Sequence, residues 1–415
     1  MSFRPYYLGI IVLATIFIYG ETFVPAQTTD FAAWKDADNA DNVPDWVRRM
    51  LARDFRDLTG TAREELLDKH FSALKDIAAD SDVVPSTRYN AMLAVGLLDS
   101  SPGNPPIAYP AALPYLVEIY QQEDIPHYLK YGALLGIVRH AFCGIESAQQ
   151  DKVIDLLLET AMTEFEPTEV VLNAAPLEPE VWDWFRLTAL DGLTAMKTVG
   201  TDDNVAIELL ALINRKSQKL ENLGRSLDSL TQENWQQIRR TIALASKAAK
   251  TLGDLDYKSA TEIDAEKMTD VLITLTKAVC DILSKIADSV GRDGASINSS
   301  ALLEQIVLNA KVCTQSVVWG MRSGLMANRP NENSFYASLE DDDPAIKRLD
   351  TLMAEIIELT TFFDEGEKTR RSVAVPNQPK EFRFDLLEIR DALAKCSEVL
   401  ETIQTDTKTD ATERL

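Results

Sequence analysis

The chain has 415 residues, 46% apolar, 26% charged and 7% aromatic, a globular composition that excludes a fully disordered or collagen-like chain. Its 42 Lys and Arg face 65 Asp and Glu, a formal net charge of −23. Nucleic acid is disfavoured as a partner, because a phosphate backbone needs a basic face that releases counterions, and no basic patch is visible in the sequence.

The first segment differs from the rest. Arg4 gives a positive start, Leu8 to Tyr19 is uncharged and mostly apolar, and Val24-Pro25-Ala26 places small residues before Gln27. That order predicts a secretory signal peptide over residues 1–26 and a secreted or periplasmic protein. Gly20 and Glu21 end the apolar run short of the ~20 residues that cross a bilayer. The alternative is an uncleaved anchor over residues 6–24, the one case in which a membrane would be a partner. Residues 27–43 read as a polar linker. A calcium loop started at Asp36 fails, with Asp41 where glycine is needed and Val47 where a bidentate glutamate is needed.

Helical spacing begins at Pro44. Trp46, Val47, Met50, Leu51 and Phe55 fall three and four residues apart, and Thr61-Ala-Arg-Glu64 reads as a capping box before Leu66, Leu67, Phe71, Leu74 and Ile77. Further helices are predicted at 86–98, 111–121, 127–142, 149–165, 180–197 and 204–214. Longer ones follow at 232–252, 264–290, 300–325, 344–363 and 384–403. Ser101 to Pro106, Gly200 to Asp203, Gly291 to Gly294 and Asn328 to Asn331 punctuate them. The class is all-α. Because helices lengthen after about residue 215, the predicted division is a repeat region over 44–215, a long-helix region over 216–404 and a disordered tail over 405–415. Leu220, Leu223, Leu227 and Leu230 suggest a short connecting helix.

Three helices share a pattern. Arg88-Tyr-Asn-Ala91-Met-Leu-Ala94-Val95 is repeated as Lys130-Tyr-Gly-Ala133-Leu-Leu-Gly136-Ile137 and Arg186-Leu-Thr-Ala189-Leu-Asp-Gly192-Leu193. Small residues three and six places after the cation lie where helices approach closely. The intervals are 42 and 56 residues. The first fits a two-helix repeat of ~40–47 residues and the second implies an insertion near 166–179. Residues 86–197 therefore resemble the second helices of HEAT-type repeats, departing from that pattern at Met92 and Leu134. The resemblance implies an α-solenoid of stacked helix pairs, continued by a bundle or further solenoid, used for binding macromolecules and without catalytic residues. The rival is a non-repetitive helical domain whose small residues merely fit its core.

Candidate chemistry is sparse. His70, His127 and His140 are the only histidines, and no HExxH, GxSxG, P-loop or GxGxxG is present. His140, near a helix end, has a structural use as a cation facing the dipole. No catalytic residue, cofactor or metal ligand is assigned, and no partner-binding residue can be named. Cys143, Cys280, Cys313 and Cys396 read as buried free thiols, Cys280 with Cys313 being the favoured pair if any is joined. Trp182 and Trp184 read as core residues, with a surface anchor as the sharper option. Gly132 with Gly136, and Gly320 with Gly324, permit close helix crossing. Glu340 to Asp343 precedes Pro344 and suits helix capping better than cation binding. Lys368, Arg370 and Arg371 mark a basic spot in a predicted loop, and Asn298-Ser-Ser300 fits a glycosylation acceptor.

The expected function is that of an exported, non-enzymatic scaffold. Its acidic helical-repeat surface would bind protein partners, basic ones best. The alternatives are a membrane-anchored structural bundle and a helical enzyme lacking known motifs.

Overall fold

A computed structural model describes residues 29–35, 43–56, 58–101, 103–165, 177–227, 230–293, 299–322, 333–372 and 385–413. The expected signal peptide lies outside these residues, as do most of the linker, residues 166–176 of the insertion, Gly324 and Asn298. The fold is all-α, and consecutive helices pack against each other. The chain divides into two compact units at Ile145 and Glu146, and residue 215 falls inside a helix rather than at a boundary.

The first unit begins with α1 (Phe31–Trp34), capped by Asp30, and α2 (Val43–Arg49), which runs into π-helical turns over Met50–Asp54. Two helix pairs follow: α3 (Gly60–Ala79) with α4 (Pro85–Gly96), and α5 (Ala112–Gln121) with α6 (His127–Cys143). Pro85 opens α4, where a missing N–H costs nothing. Within each pair the helices pack on one another, and α4 also packs along α6. Phe71 and Lys75 of α3 meet the Tyr115 ring of α5. First helix thus meets first helix, and second meets second. On either side of the predicted breaker at 101–106 lies a two-stranded antiparallel pair, β1 (Asp99–Ser101) and β2 (Ile107–Ala108).

The second unit contains α7 (Ser147–Met162), α8 (Pro179–Met196), α9 (Asn204–Arg225), α10 (Gln232–Asp254), α11 (Ala265–Asp293) and α12 (Ser299–Arg322). After the single turn α13 (Phe335–Ser338) come α14 (Pro344–Ser372) and α15 (Leu386–Glu413). One layer runs α7, α9, α11, α15 and the other α8, α10, α12, α14, each helix packing on its neighbours in its own layer. Leu220 and Leu223 belong to α9, so no separate connecting helix starts there. Helix α15 reaches Glu413, across most of the tail expected to be disordered.

Burial follows the period of the sequence. Leu209, Leu212, Ile213 and Leu220 are buried along α9, and Ile238, Ile242, Ala245, Ala249 and Leu252 along α10. Each aliphatic side chain taken fully from water contributes roughly 1.5–3 kcal/mol before entropy is counted. Loops are tied as well. Asp203 is buried with a left-handed φ of 57°, and its carboxylate accepts the N–H groups of Thr261 at 2.8 Å and Glu262 at 2.6 Å. Those two bonds hold the α8–α9 turn against the α10–α11 connection and offset the backbone strain.

Candidate functional site

The repeated cation has a structural task. Arg88 of α4 donates from Nε to the Ala78 carbonyl at 2.9 Å, in the last turn of α3. Arg186 of α8 donates from Nε to the Ala161 carbonyl at 2.9 Å, in the last turn of α7. In both pairs the second helix satisfies an orphan carbonyl at the end of the first, where the dipole favours a cation. Lys130 of α6 sits in the field of Glu123 and Asp124, just beyond α5, though burial still lowers its ammonium pKa. All three aligned helices are the second members of their pairs.

The small residues mark the seams. A Cβ on Gly96 would stand 2.5 Å from the Gly136 Cα, so α4 and α6 cross backbone to backbone. Gly253 of α10 meets α12 equally closely, where a Cβ would lie 2.1 Å from the Trp319 carbonyl oxygen and 2.5 Å from the Gly320 Cα. Gly320 therefore pairs in space with Gly253, a partnership its spacing to Gly324 does not reveal. The expected capping box at Thr61 does not form: α3 starts at Gly60, and Thr59 makes no side-chain cap. Arg63 instead donates to three carbonyls, Phe55 and Ser100 at 2.8 Å and Asp99 at 2.6 Å. A true capping box closes α10, where Thr231 and Asn234 exchange bonds of 2.8 and 3.2 Å. Asp343 caps α14 by accepting the Ala345 N–H at 2.8 Å, the role read for the acidic run.

The histidines are given separate surroundings. His70 lies at Nε2 3.0 Å from Asp54 and at Nδ1 2.9 Å from the Leu66 carbonyl, between the rings of Phe31 and Phe55. Both nitrogens are occupied, so neither can take a proton from a substrate. Burial raises the Asp54 pKa, but hydrogen bonds from His70, Thr29 and Arg53 outweigh it and hold the carboxyl below its ordinary value. Burial and the neighbouring Lys130 lower His127. His140 departs from the reading as a helix-end cation: burial, then Arg139, pushes its pKa down to about 4, and its buried Nε2 has no hydrogen-bond partner among the described residues. It is a neutral core side chain, because desolvation of the charged ring exceeds what the helix end returns. No group of three or more His, Cys, Asp or Glu among the described residues is arranged to hold a metal ion.

All four cysteines are free thiols, Cys143 half-buried and the other three buried. The favoured pair Cys280 and Cys313 is not joined. The Cys280 side chain hydrogen-bonds Cys396 of α15, which together with burial pushes its thiol pKa well up, and burial takes Cys313 to about 12. Such thiols are inert as nucleophiles.

Trp182 and Trp184 separate. Trp182 stacks on Phe185 and donates from Nε1 to the Thr163 carbonyl at 3.0 Å, whereas Trp184 is 40% exposed. Trp184 is therefore a surface ring and not a core residue. No helix of the described residues is long and apolar enough to cross a membrane.

No protein-family model matches this chain, and no curated protein matches it either.

The second unit also gathers cations that the sequence reading did not see as a patch. Lys216 donates to Glu164 at 2.6 Å, and Arg186 Nη1 lies 3.4 Å from the same carboxylate and 4.0 Å from Asp183. The side chains of Arg186 and Lys216 are 2% and 5% exposed. Burial lowers the pKa of both. Arg215, next to Lys216 in sequence, and Lys219, one turn further along α9, act on this group through their charge. Arg215 to Lys219 is the visible sequence signal, but Arg186 and Glu164 reach it only through folding.

Proposed function

We propose that the protein is an exported, non-enzymatic scaffold, a HEAT-like solenoid whose helical surface binds protein partners. The observation that carries this reading is the layered order within each unit, in which alternate helices pack while a cation in the second helix caps the first. That is the geometry of stacked repeats, and stacking leaves an outer face on every helix for a partner. Trp184 supports it further, since an exposed tryptophan costs solvation and suits an interface anchor. The net charge of −23 favours partners with a basic docking face.

The test is capture from the extracytoplasmic fraction of the host, with the mature chain first checked by mass for loss of residues 1–26. A partner retained by the wild-type chain, lost with Trp184→Ala and weakened at high salt supports the reading. An intact leader removes the exported scaffold, and capture indifferent to both Trp184 and salt removes the proposed surface.

A further inference from the structure

We propose that the second unit binds a small oxyanion, carried by a phosphate or carboxylate group, in the depression on α9 between Arg215 and Lys219. Around Arg186 and Lys216 the described residues supply two carboxylates, Glu164 and Asp183, and Asp183 is already engaged by Arg240. Facing them are four cations, Arg186, Lys216, Arg215 and Lys219. Two of those are almost wholly buried, and a buried charge without a full complement of partners is costly. The shortfall is visible at one atom: Arg186 Nη2 is buried and makes no hydrogen bond among the described residues.

Beside this cluster lies a depression of about 410 Å³. Arg215 and Lys219 line it together with the amide side chains of Gln218, Asn222 and Gln237, which can donate hydrogen bonds, and Leu223 supplies an apolar wall; the Ser226 hydroxyl, also in the lining, donates to the Asn222 carbonyl. None of the lining residues is a carboxylate. The lining cations are also those whose charges bear on the buried network: Arg215 acts on Arg186, and Lys219 on Glu164 and Lys216. A bound anion would bridge the two lining cations and offset the surplus behind them. A lining of one guanidinium, one ammonium and amide donors, with no carboxylate, suits the headgroup of a small phosphomonoester or organic acid. A guanidinium offers a paired fork to either headgroup, and the ammonium a point charge. In a chain of net charge −23 this cationic pocket runs against the surrounding field, which makes it selective for a ligand that is held by contact and not by steering. This site is independent of the scaffold reading.

The experiment uses the full chain and two probes, inorganic phosphate and citrate, titrated at constant ionic strength against chloride by calorimetry and thermal unfolding. A saturable heat and a midpoint that climbs with probe concentration are expected for at least one of them, and which one responds identifies the headgroup. Arg215→Gln with Lys219→Gln should lower that affinity at least tenfold while circular dichroism stays unchanged, since both side chains face solvent or its edge. Lys152→Gln, on an exposed face of α7, should leave it intact. No saturable response to either anion, or an equal response in the double variant, overturns the site.

Discussion

Protonating His140 places an uncompensated charge in the core of the first unit. With its pKa near 4 in the fold against an ordinary 6.5, the unfolded chain binds more protons between those values. Stability is thus full above about pH 6.5 and falls as pH drops toward 4, by about 3 kcal/mol at most. Urea midpoints measured across that window should show the slope, and His140→Met should flatten it. Asp54 acts lower: its depressed carboxyl stabilises the fold above the ordinary carboxylate value, a contribution lost as pH falls through its folded pKa. The seam glycines separate by what a methyl would strike. Gly96→Ala meets the Gly136 backbone at 2.5 Å, whereas Gly136→Ala meets first the movable Leu116 Cδ1 at 2.8 Å. Overpacking of this kind costs ~1–3 kcal/mol, and Gly96→Ala should be the worse of the two in denaturant unfolding. Gly96 and Gly136 stand out in the sequence, but the identity of what each touches does not.

At the scale of elements, the capping cation predicts a paired effect. Arg88→Ala leaves the Ala78 carbonyl without its charged donor and should cost ~1.5–3 kcal/mol, with Arg88→Lys recovering part of it. Hydrogen exchange should then rise first in the last turn of α3, a helix on which Arg88 does not lie. Thr231→Ala opens the capping box of α10 and should cost ~1 kcal/mol. Helix positions were legible because apolar residues recur at three and four; Pro344 opens its helix as read, and Pro85 and Pro179 open theirs one residue before the predicted starts. Caps were less so. Thr61 matched a capping pattern that the chain leaves unused: α3 starts at Gly60, and Arg63 is drawn to the carbonyls of Phe55 and of Asp99 and Ser100 in β1.

For the whole molecule, two compact units with separate cores predict unfolding that departs from a single transition. Trp34 and Trp46 belong to the first unit, and Trp182, Trp184, Trp235 and Trp319 to the second. Replacing Trp34 and Trp46 by Phe should leave a fluorescence transition that reports the second unit alone and no longer coincides with circular dichroism. Coincident transitions would mean that the units unfold as one.

The residues alone determined the all-α class, the order of the helices and the alignment of Arg88, Lys130 and Arg186, because helical periodicity, proline placement and small residues at contact points act over a few turns. Folding decided the rest. The chain divides at residue 145 and position 215 lies within α9, which packs on α10, α11 and α7. His140 became neutral, Cys280 found Cys396 rather than Cys313, Trp184 stayed in water and Arg186 joined Glu164 and Lys216. Desolvation and long-range pairing depend on what surrounds a side chain in space, and no local pattern carries that.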